Sequence, residues 1–365
     1  FFAVGTDEES SDRDDDGIND AVDDTRDMID GWQPDAGGLK GLRQLGFRVN
    51  LDHASGATRA DAALYVLPGG RHEQASWARM LPQFLRWAYA VRAPALQATG
   101  RVDGYQGVPS AFVAARDVDV WLPPGYAEHP ERRYPVIYMH DGQNLFDPAL
   151  SYTGVDWDVD GTMTRLIAQE EVREAIVVGI WNTPLRVQEY MPAQAVPEAP
   201  TVLFDGMPPL ARADLKSDEY LRLVVQELKP AIDATYRTLP GRADTFVMGS
   251  SMGGLISAYA MSRYPDVFGG VGALSTHWPA GDGAVIDYLA AHLPERVTHR
   301  FYFDHGTATL DAAYAPYQLR MDRVLRDAGW RRKRDWVSRT FPGAEHNERA
   351  WRDRLDVPLQ FLLGR

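Results

Sequence analysis

Beyond residue 100 the chain alternates short apolar runs with longer stretches whose apolar positions recur at helical spacing. Tyr134 to His140 is almost continuously apolar, and Ala175 to Trp181 and Phe246 to Met248 read the same way. Runs without alternation suit central parallel strands covered on both faces. Ser110 to Leu122, with Val118-Asp119-Val120-Trp121-Leu122 alternating at its end, reads as one strand turned by Pro123-Pro124-Gly125. Further strands are predicted at about 268–274, 299–304 and 335–341. Helices are predicted at about 159–170, 217–236, 283–293, 311–328 and 347–363, with a Pro-rich loop at about 182–216. The 217–236 segment places Tyr220, Leu221, Val224, Leu228 and Ile232 on one face. Strand–helix alternation of this length predicts an α/β fold, a mostly parallel central sheet with helices on both faces.

The first hundred residues follow a different pattern. Leu39 to Val49 suggests a short helix and strand, and Ala62 to Leu67 a buried strand stopped by Pro68-Gly69-Gly70. Trp77, Leu81, Phe84, Leu85 and Ala88 recur at helical spacing and are read as the packing face of a helix over about 74–91. No chemistry is evident there. The expected organisation is an acidic segment over 1–38, an α/β extension over 39–100 and the main domain over 101–365.

Net charge is −13, with much of the acidity in the first 35 residues. This argues against nucleic acid or an anionic membrane as a partner. The absence of cysteine excludes disulfides, thiolate zinc sites and a cysteine nucleophile. No run is long enough for a membrane span. The chain starts at Phe1 without Met, so removal of an upstream segment is expected. Asp12, Asp14, Asp16, Asp20 and Asp23 occupy positions 1, 3, 5, 9 and 12 of a calcium loop. Gly17 stands at position 6 and Ile18 would offer its carbonyl at position 7. The segment resembles the Asp-rich calcium repeats of thrombospondin type 3. Asp23 replaces the closing Glu of an EF-hand, and a solvated acidic linker is the alternative. A weak calcium site would stay empty in the cytosol, so the motif leans towards a secreted or periplasmic protein.

One stretch organises the rest. Phe246 to Met248 reads as a buried strand, Gly249-Ser250-Ser251-Met252-Gly253 matches G-x-S-x-G, and a helical pattern follows from Leu255 to Tyr264. Strand, tight turn and helix are the context of a nucleophile elbow. Serine needs a base within hydrogen-bond reach and an acid to orient that base, in the chain order Ser, acid, His. His346, in Phe341-Pro342-Gly343-Ala344-Glu345-His346-Asn347, lies between the last strand and the last helix and is the expected base. His277 also follows a strand and is read as lining the pocket. Two residues compete as acid: Asp304, at the end of Phe301-Tyr302-Phe303-Asp304, and Asp311, at the start of the next helix. Asp311 is preferred because the acid must reach across from a loop. A second Gly turn, in His140-Asp141-Gly142-Gln143-Asn144, leaves a buried strand where a second oxyanion donor should stand beside the N–H of Met252.

Together, His140-Asp141-Gly142-Gln143-Asn144, Gly249 to Gly254 and Gly343 to Asn347 resemble esterases of the esterase D, feruloyl esterase and siderophore esterase type. Weaker matches are Val118 to Tyr126, Arg186 with Glu189-Tyr190, and Glu227 to Pro230. The resemblance covers about 101–365 and implies an α/β-hydrolase fold. It also implies an oxyanion hole from the N–H groups of Gln143 and Met252, and a pocket near Trp157 and Asp158. Better-known members carry the acid where Thr309 stands, and some work with a Ser–His dyad, so the acid stays open.

The expected activity is serine carboxylic-ester hydrolysis, with no cofactor for catalysis. Acyl transfer to a sugar or alcohol would use the same residues, and a secreted binding module is the non-enzymatic alternative. The substrate is expected to be a small-molecule or polysaccharide-linked ester. Trp157, Asp158, Trp181, His277 and Trp278 are the expected pocket residues, with Tyr190 and Tyr314 as further aromatic candidates. Arg186 could meet a substrate carboxylate or phenolate, and the preferred reading is an ion pair with Glu189, three residues on.

Overall fold

The computed structural model describes residues 98–204 and 206–364, and before them 2–8, 11–12, 18–30, 42, 45, 49–50 and 62–88. Two compact units result, Phe1–Arg92 and Ala93–Arg365.

In the first unit, β1 (Phe2–Gly5), β2 (Val49–Asn50) and β3 (Ala62–Leu67) form a parallel sheet in the order β1-β3-β2. A helix spans Asp20–Asp30 and another Gln74–Ala88. Val4, Val22, Ile29 and Leu64 make the core. The acidic segment is therefore not separate from the extension: its first strand pairs with β3, Phe2 opposite Leu64. The helix over 74–88 buries Ser76 and Met80, whereas Trp77 and Leu81 are each 47% exposed. Its expected Trp77–Leu81 packing face is thus corrected.

The second unit is built on eight strands: β4 (Arg101–Val108), β5 (Arg116–Leu122), β6 (Val136–His140), β7 (Ile176–Ile180), β8 (Thr245–Ser250), β9 (Gly270–Leu274), β10 (Arg300–His305) and β11 (Trp336–Thr340). Their order is β11-β10-β9-β8-β6-β7-β5-β4. The run from β7 to β11 is parallel, and β4 and β5 are antiparallel at one edge. This is the mostly parallel α/β sheet expected from the alternating pattern, in the α/β-hydrolase arrangement that the resemblance implied. The strand read at 110–122 begins only at Arg116, and the less apolar β4 before it was not foreseen.

β6, β7, β8 and β9 are buried at every position, which explains their lack of alternation. The segment over 217–236 is helical to Thr235 but carries a π turn over Leu223–Leu228. Tyr220, Leu221, Val224, Leu228 and Ile232 are all buried, as the spacing implied. The final helical stretch divides into Glu348–Arg352 and Asp356–Leu363. Among the described residues no helix is long and apolar enough to cross a membrane.

Candidate active site

The serine turn sits where β8 meets the helix Met252–Arg263. Ser251 adopts φ 57°, ψ −121°, a conformation that costs of order 1–3 kcal/mol and persists only when its surroundings enforce it. They do: Ser251 N donates to Leu274 O at 2.9 Å, and His277 N donates to Ser251 O at 3.1 Å. A Cβ at Gly249 would lie 2.9 Å from the Gly253 carbonyl carbon, so this turn closes only on glycine. The unsatisfied N–H groups of the helix start then face the serine side.

The second turn leaves β6. Asp141 is left-handed (φ 59°), and a 3-10 turn follows over Gly142–Asn144. A Cβ at Gly142 would lie 2.4 Å from the Gly179 backbone, which sets how tightly this turn lies on β7. Side chains hold it from three directions. Asp141 accepts from Arg186 Nε (2.7 Å) and Nη2 (2.8 Å) and from Asn182 Nδ2 (2.6 Å). Burial alone would raise the Asp141 carboxyl, but Arg186 and Asn182 outweigh it and hold it below the ordinary value. His140 Nδ1 lies 2.7 Å from the Tyr220 hydroxyl, and burial pushes this imidazole down to about 3. Gln143 Oε1 accepts from Asn182 N at 3.2 Å. A Cβ at Gly253 would lie 3.4 Å from Asp141 Oδ2 and from His140 Cβ, so Gln143 and Met252 stand on adjoining turns. Arg186 does not pair with Glu189; the buried partner of Glu189 is Arg116, at 2.7 Å. Arg186 is instead the clamp on the β6 turn.

His346 follows β11. Its Nδ1 lies 2.6 Å from Asp311 Oδ1, and its backbone N–H donates to Thr309 Oγ1 at 2.8 Å. Asp311, in the 3-10 turn Thr309–Ala313, also accepts through Oδ2 from Gly306 N (2.6 Å) and Ser275 Oγ (2.5 Å). Burial would raise this carboxyl, but the bonds from His346, Ser275 and Gly306 prevail and hold it below the usual carboxylate range. An ionised Asp311 accepts only, so His346 carries its proton on Nδ1 and presents Nε2 as the basic nitrogen. Asp304 is elsewhere engaged. It is fully buried inside β10, with Arg354 Nη2 at 3.0 Å, the Tyr302 hydroxyl at 2.9 Å and Ser275 N at 3.2 Å. Burial raises its carboxyl despite Arg354.

Two residues in this cluster were not singled out for their parts. Ser275 (φ 39°) accepts from Trp351 Nε1 (3.0 Å) and Arg354 Nη2 (2.7 Å). Both lone pairs are then occupied, so its own proton points to Asp311. Tyr314 links the other groups. Its hydroxyl lies 2.5 Å from His277 Nδ1, and its ring meets His346 edge-on at 5.5 Å. Burial raises the Tyr314 hydroxyl strongly, and hydrogen bonding from Ser251 partly offsets this. His277 is pushed down to about 4, first by burial and then by nearby positive charge, and Phe204 stacks on it at 5.6 Å. His140 and His277 are therefore weak bases, which leaves His346 as the imidazole paired with a carboxylate.

The pocket expectation divides. Trp157 and Trp278 are core residues, 3% and 1% exposed, with no face left for a ligand. Trp157 packs on Trp351, and Trp278 donates to Gln318 Oε1. Tyr190 is likewise fully buried. Trp181 is half-buried with Nε1 on Asp119 Oδ2, and Asp158 lines a separate acidic cavity. Of the calcium loop, Asp14, Asp16 and Gly17 lie outside the described residues. Asp20 and Asp23 stand in the first turn of the helix Asp20–Asp30, with Asp12 and Ile18 just ahead of it.

A family model described as "Putative esterase" matches residues 110–362, well over half of the chain. The uncharacterized protein YbbA of Bacillus subtilis (strain 168) is 26% identical over 165 residues, 45% of this chain and 58% of that protein. The chain thus spans less than two thirds of this curated relative. Among solved structures, a ferulic acid esterase aligns with TM-score 0.53 and 20% identity over 73% of this chain and 98% of its own. The enterobactin esterase of Shigella flexneri aligns with TM-score 0.53 and 19% identity over 74% and 60%. A CE1 ferulic acid esterase of Anaeromyces mucronatus aligns with TM-score 0.53 and 20% identity over 74% and 92%. At these identities the structural likeness is one of fold. The family match is what places the sequence, and by it the chain belongs to the putative esterase family.

Proposed function

We propose that the protein is a serine carboxylic-ester hydrolase that works through an acyl-enzyme on Ser251. His346 Nε2 takes the Ser251 proton as the hydroxyl attacks the ester carbonyl, and Asp311 holds the Nδ1 proton and stabilises the imidazolium. The N–H groups of Gln143 and Met252 bind the oxyanion. Collapse breaks the acyl–oxygen bond, and His346 returns the proton to the leaving alcohol. Water then attacks the acyl-enzyme with His346 again as base. The observation that carries this reading is the pairing of buried Asp311 with His346, 2.6 Å apart, in the same cluster as the strained Ser251 turn.

The substrate class we favour is an ester of an aromatic acid. Phe204, His277 and Tyr314 gather ring surface beside the serine turn. The structural relatives are named for ferulic acid and enterobactin. A panel of acetyl, short-chain, feruloyl and catecholate-trilactone esters tests this. Aromatic acyl esters should show the highest kcat/KM, and all hydrolysis should vanish in Ser251→Ala. A preference for acetyl esters would refute the substrate class. Transfer to an added sugar or alcohol outrunning hydrolysis would replace water as the acceptor.

A further inference from the structure

The stretch Asp156-Trp157-Asp158-Val159-Asp160-Gly161 leads into the helix Val159–Ala168. One carboxylate oxygen from each of its three aspartates lies within 4.8 Å of the others. All three line a cavity of about 410 Å³, together with Arg349, Arg352 and Asp353. Asp160 is only 2% exposed, yet its Oδ1 has no hydrogen-bond partner. The other oxygen accepts from Thr99 N at 2.6 Å. A buried carboxylate oxygen without a partner is costly, and it asks for a ligand.

The backbone is shaped around the same point. Asp158 is held left-handed (φ 50°, ψ 45°), rare for a non-glycine residue. A Cβ at Gly161 would lie 2.4 Å from Asp158 Oδ1, so glycine is what lets that carboxylate fold back over the helix start. The spacing Asp-x-Asp-x-Asp-Gly is that of the first, third and fifth ligands and the turn glycine of a calcium loop. Here the helix begins at once, so the later positions of such a loop are not available. Water is left to complete the shell.

We propose that Asp156, Asp158 and Asp160 form a binding site for a hard, oxygen-seeking divalent cation of the calcium class. Charge balance supports it. Arg352 reaches Asp156 Oδ1 at 3.2 Å and Asp158 Oδ2 at 3.3 Å. Across the whole lining, four carboxylates (Asp156, Asp158, Asp160, Asp353) stand against two guanidinium groups (Arg349, Arg352), which leaves two negative charges, and a single divalent ion neutralises them. The Arg352 side chain is 41% exposed and can turn to water as the ion enters. The site is distinct from the N-terminal Asp12–Asp23 segment and independent of the esterase reading.

Terbium luminescence and thermal unfolding on the whole chain test the site. The chain should carry Asp12→Asn, Asp14→Asn and Asp16→Asn to silence the N-terminal segment. Trp157, between the ligands, should sensitise bound terbium, and calcium should compete it away. Calcium should also raise Tm with a dissociation constant of about 0.1–1 mM. Asp158→Asn and Asp160→Asn should each weaken binding about tenfold or more, with circular dichroism confirming that each variant is folded. Arg352→Gln leaves the carboxylates intact and removes the competing cation, so it should tighten binding several-fold. An unchanged response in Asp158→Asn and Asp160→Asn, unchanged affinity in Arg352→Gln, or no response at several millimolar calcium would overturn the proposal.

Discussion

Replacing Ser275 by alanine should lower turnover far more than its distance from the ester would suggest. The hydroxyl donates to Asp311 Oδ2 at 2.5 Å and accepts from Trp351 Nε1 and Arg354 Nη2. Alanine leaves two buried donors without an acceptor, at about 1–3 kcal/mol each. The stability loss is then roughly 2–6 kcal/mol, or about 2–4 °C of Tm per kcal/mol for a unit of this size. Asp311 also loses one of the bonds that outweigh its burial. A hydrogen bond to a charged group is worth about 1.5–3 kcal/mol, so turnover should fall roughly 10- to 100-fold. Ser275→Gly separates the two effects. It loses the same hydroxyl but relieves the strain at φ 39°, worth of order 1–3 kcal/mol. The glycine variant should therefore melt above the alanine variant while the two share one reduced kcat. Steady-state hydrolysis beside melting curves makes the comparison. Normal turnover in both variants would show that Ser275 only packs. Turnover that followed Tm from alanine to glycine would show that stability, not the wiring of Asp311, sets the rate.

Asp311→Asn should cut kcat by roughly two to four orders of magnitude with little change in substrate binding. Asp304→Asn should instead cost about 3–5 kcal/mol of stability, because it strands the buried Arg354 charge, with a smaller loss of kcat; kinetics and melting of both variants check the division. Burial holds folded His140 at about 3 and His277 at about 4, below the unfolded value of about 6.5. The unfolded chain therefore takes up protons that the folded chain refuses, and stability falls as pH drops from 6.5 towards 4. His277 alone should account for roughly 3 kcal/mol, and denaturant titrations should show a flatter profile in His277→Gln. In the N-terminal segment, calorimetry on the whole chain carrying Asp158→Asn and Asp160→Asn should find calcium binding of about 0.1–1 mM that Asp14→Asn with Asp16→Asn removes, leaving hydrolysis unchanged.

The central sheet was legible because β6, β7 and β8 are buried on both faces and so are written as unbroken apolar runs. β4 was missed because Asp103, Gly104, Gln106 and Gly107 interrupt its pattern. The serine turn and the loop after β11 were legible because glycine marks sharp turns at fixed offsets. Long-range pairing was not. Arg186 has Glu189 three residues away, yet its partner is Asp141, 45 residues earlier. Nor does a single sequence reveal that Trp351 and Arg354 converge on Ser275, 76 residues before Trp351, or that Ser275 in turn donates to Asp311. The aromatic pocket was over-read for a related reason: Trp157 and Trp278 have the same composition signal whether they face a ligand or the core, and packing put them in the core.

The central claim is that Ser251 is the nucleophile. A fluorophosphonate probe, followed by intact mass and peptide mapping, tests it most directly. A single adduct on Ser251 is expected, none in Ser251→Ala, and a fall in ester hydrolysis by orders of magnitude in that variant while it stays folded. An adduct on Ser250 or elsewhere, or hydrolysis that survives Ser251→Ala, would contradict it.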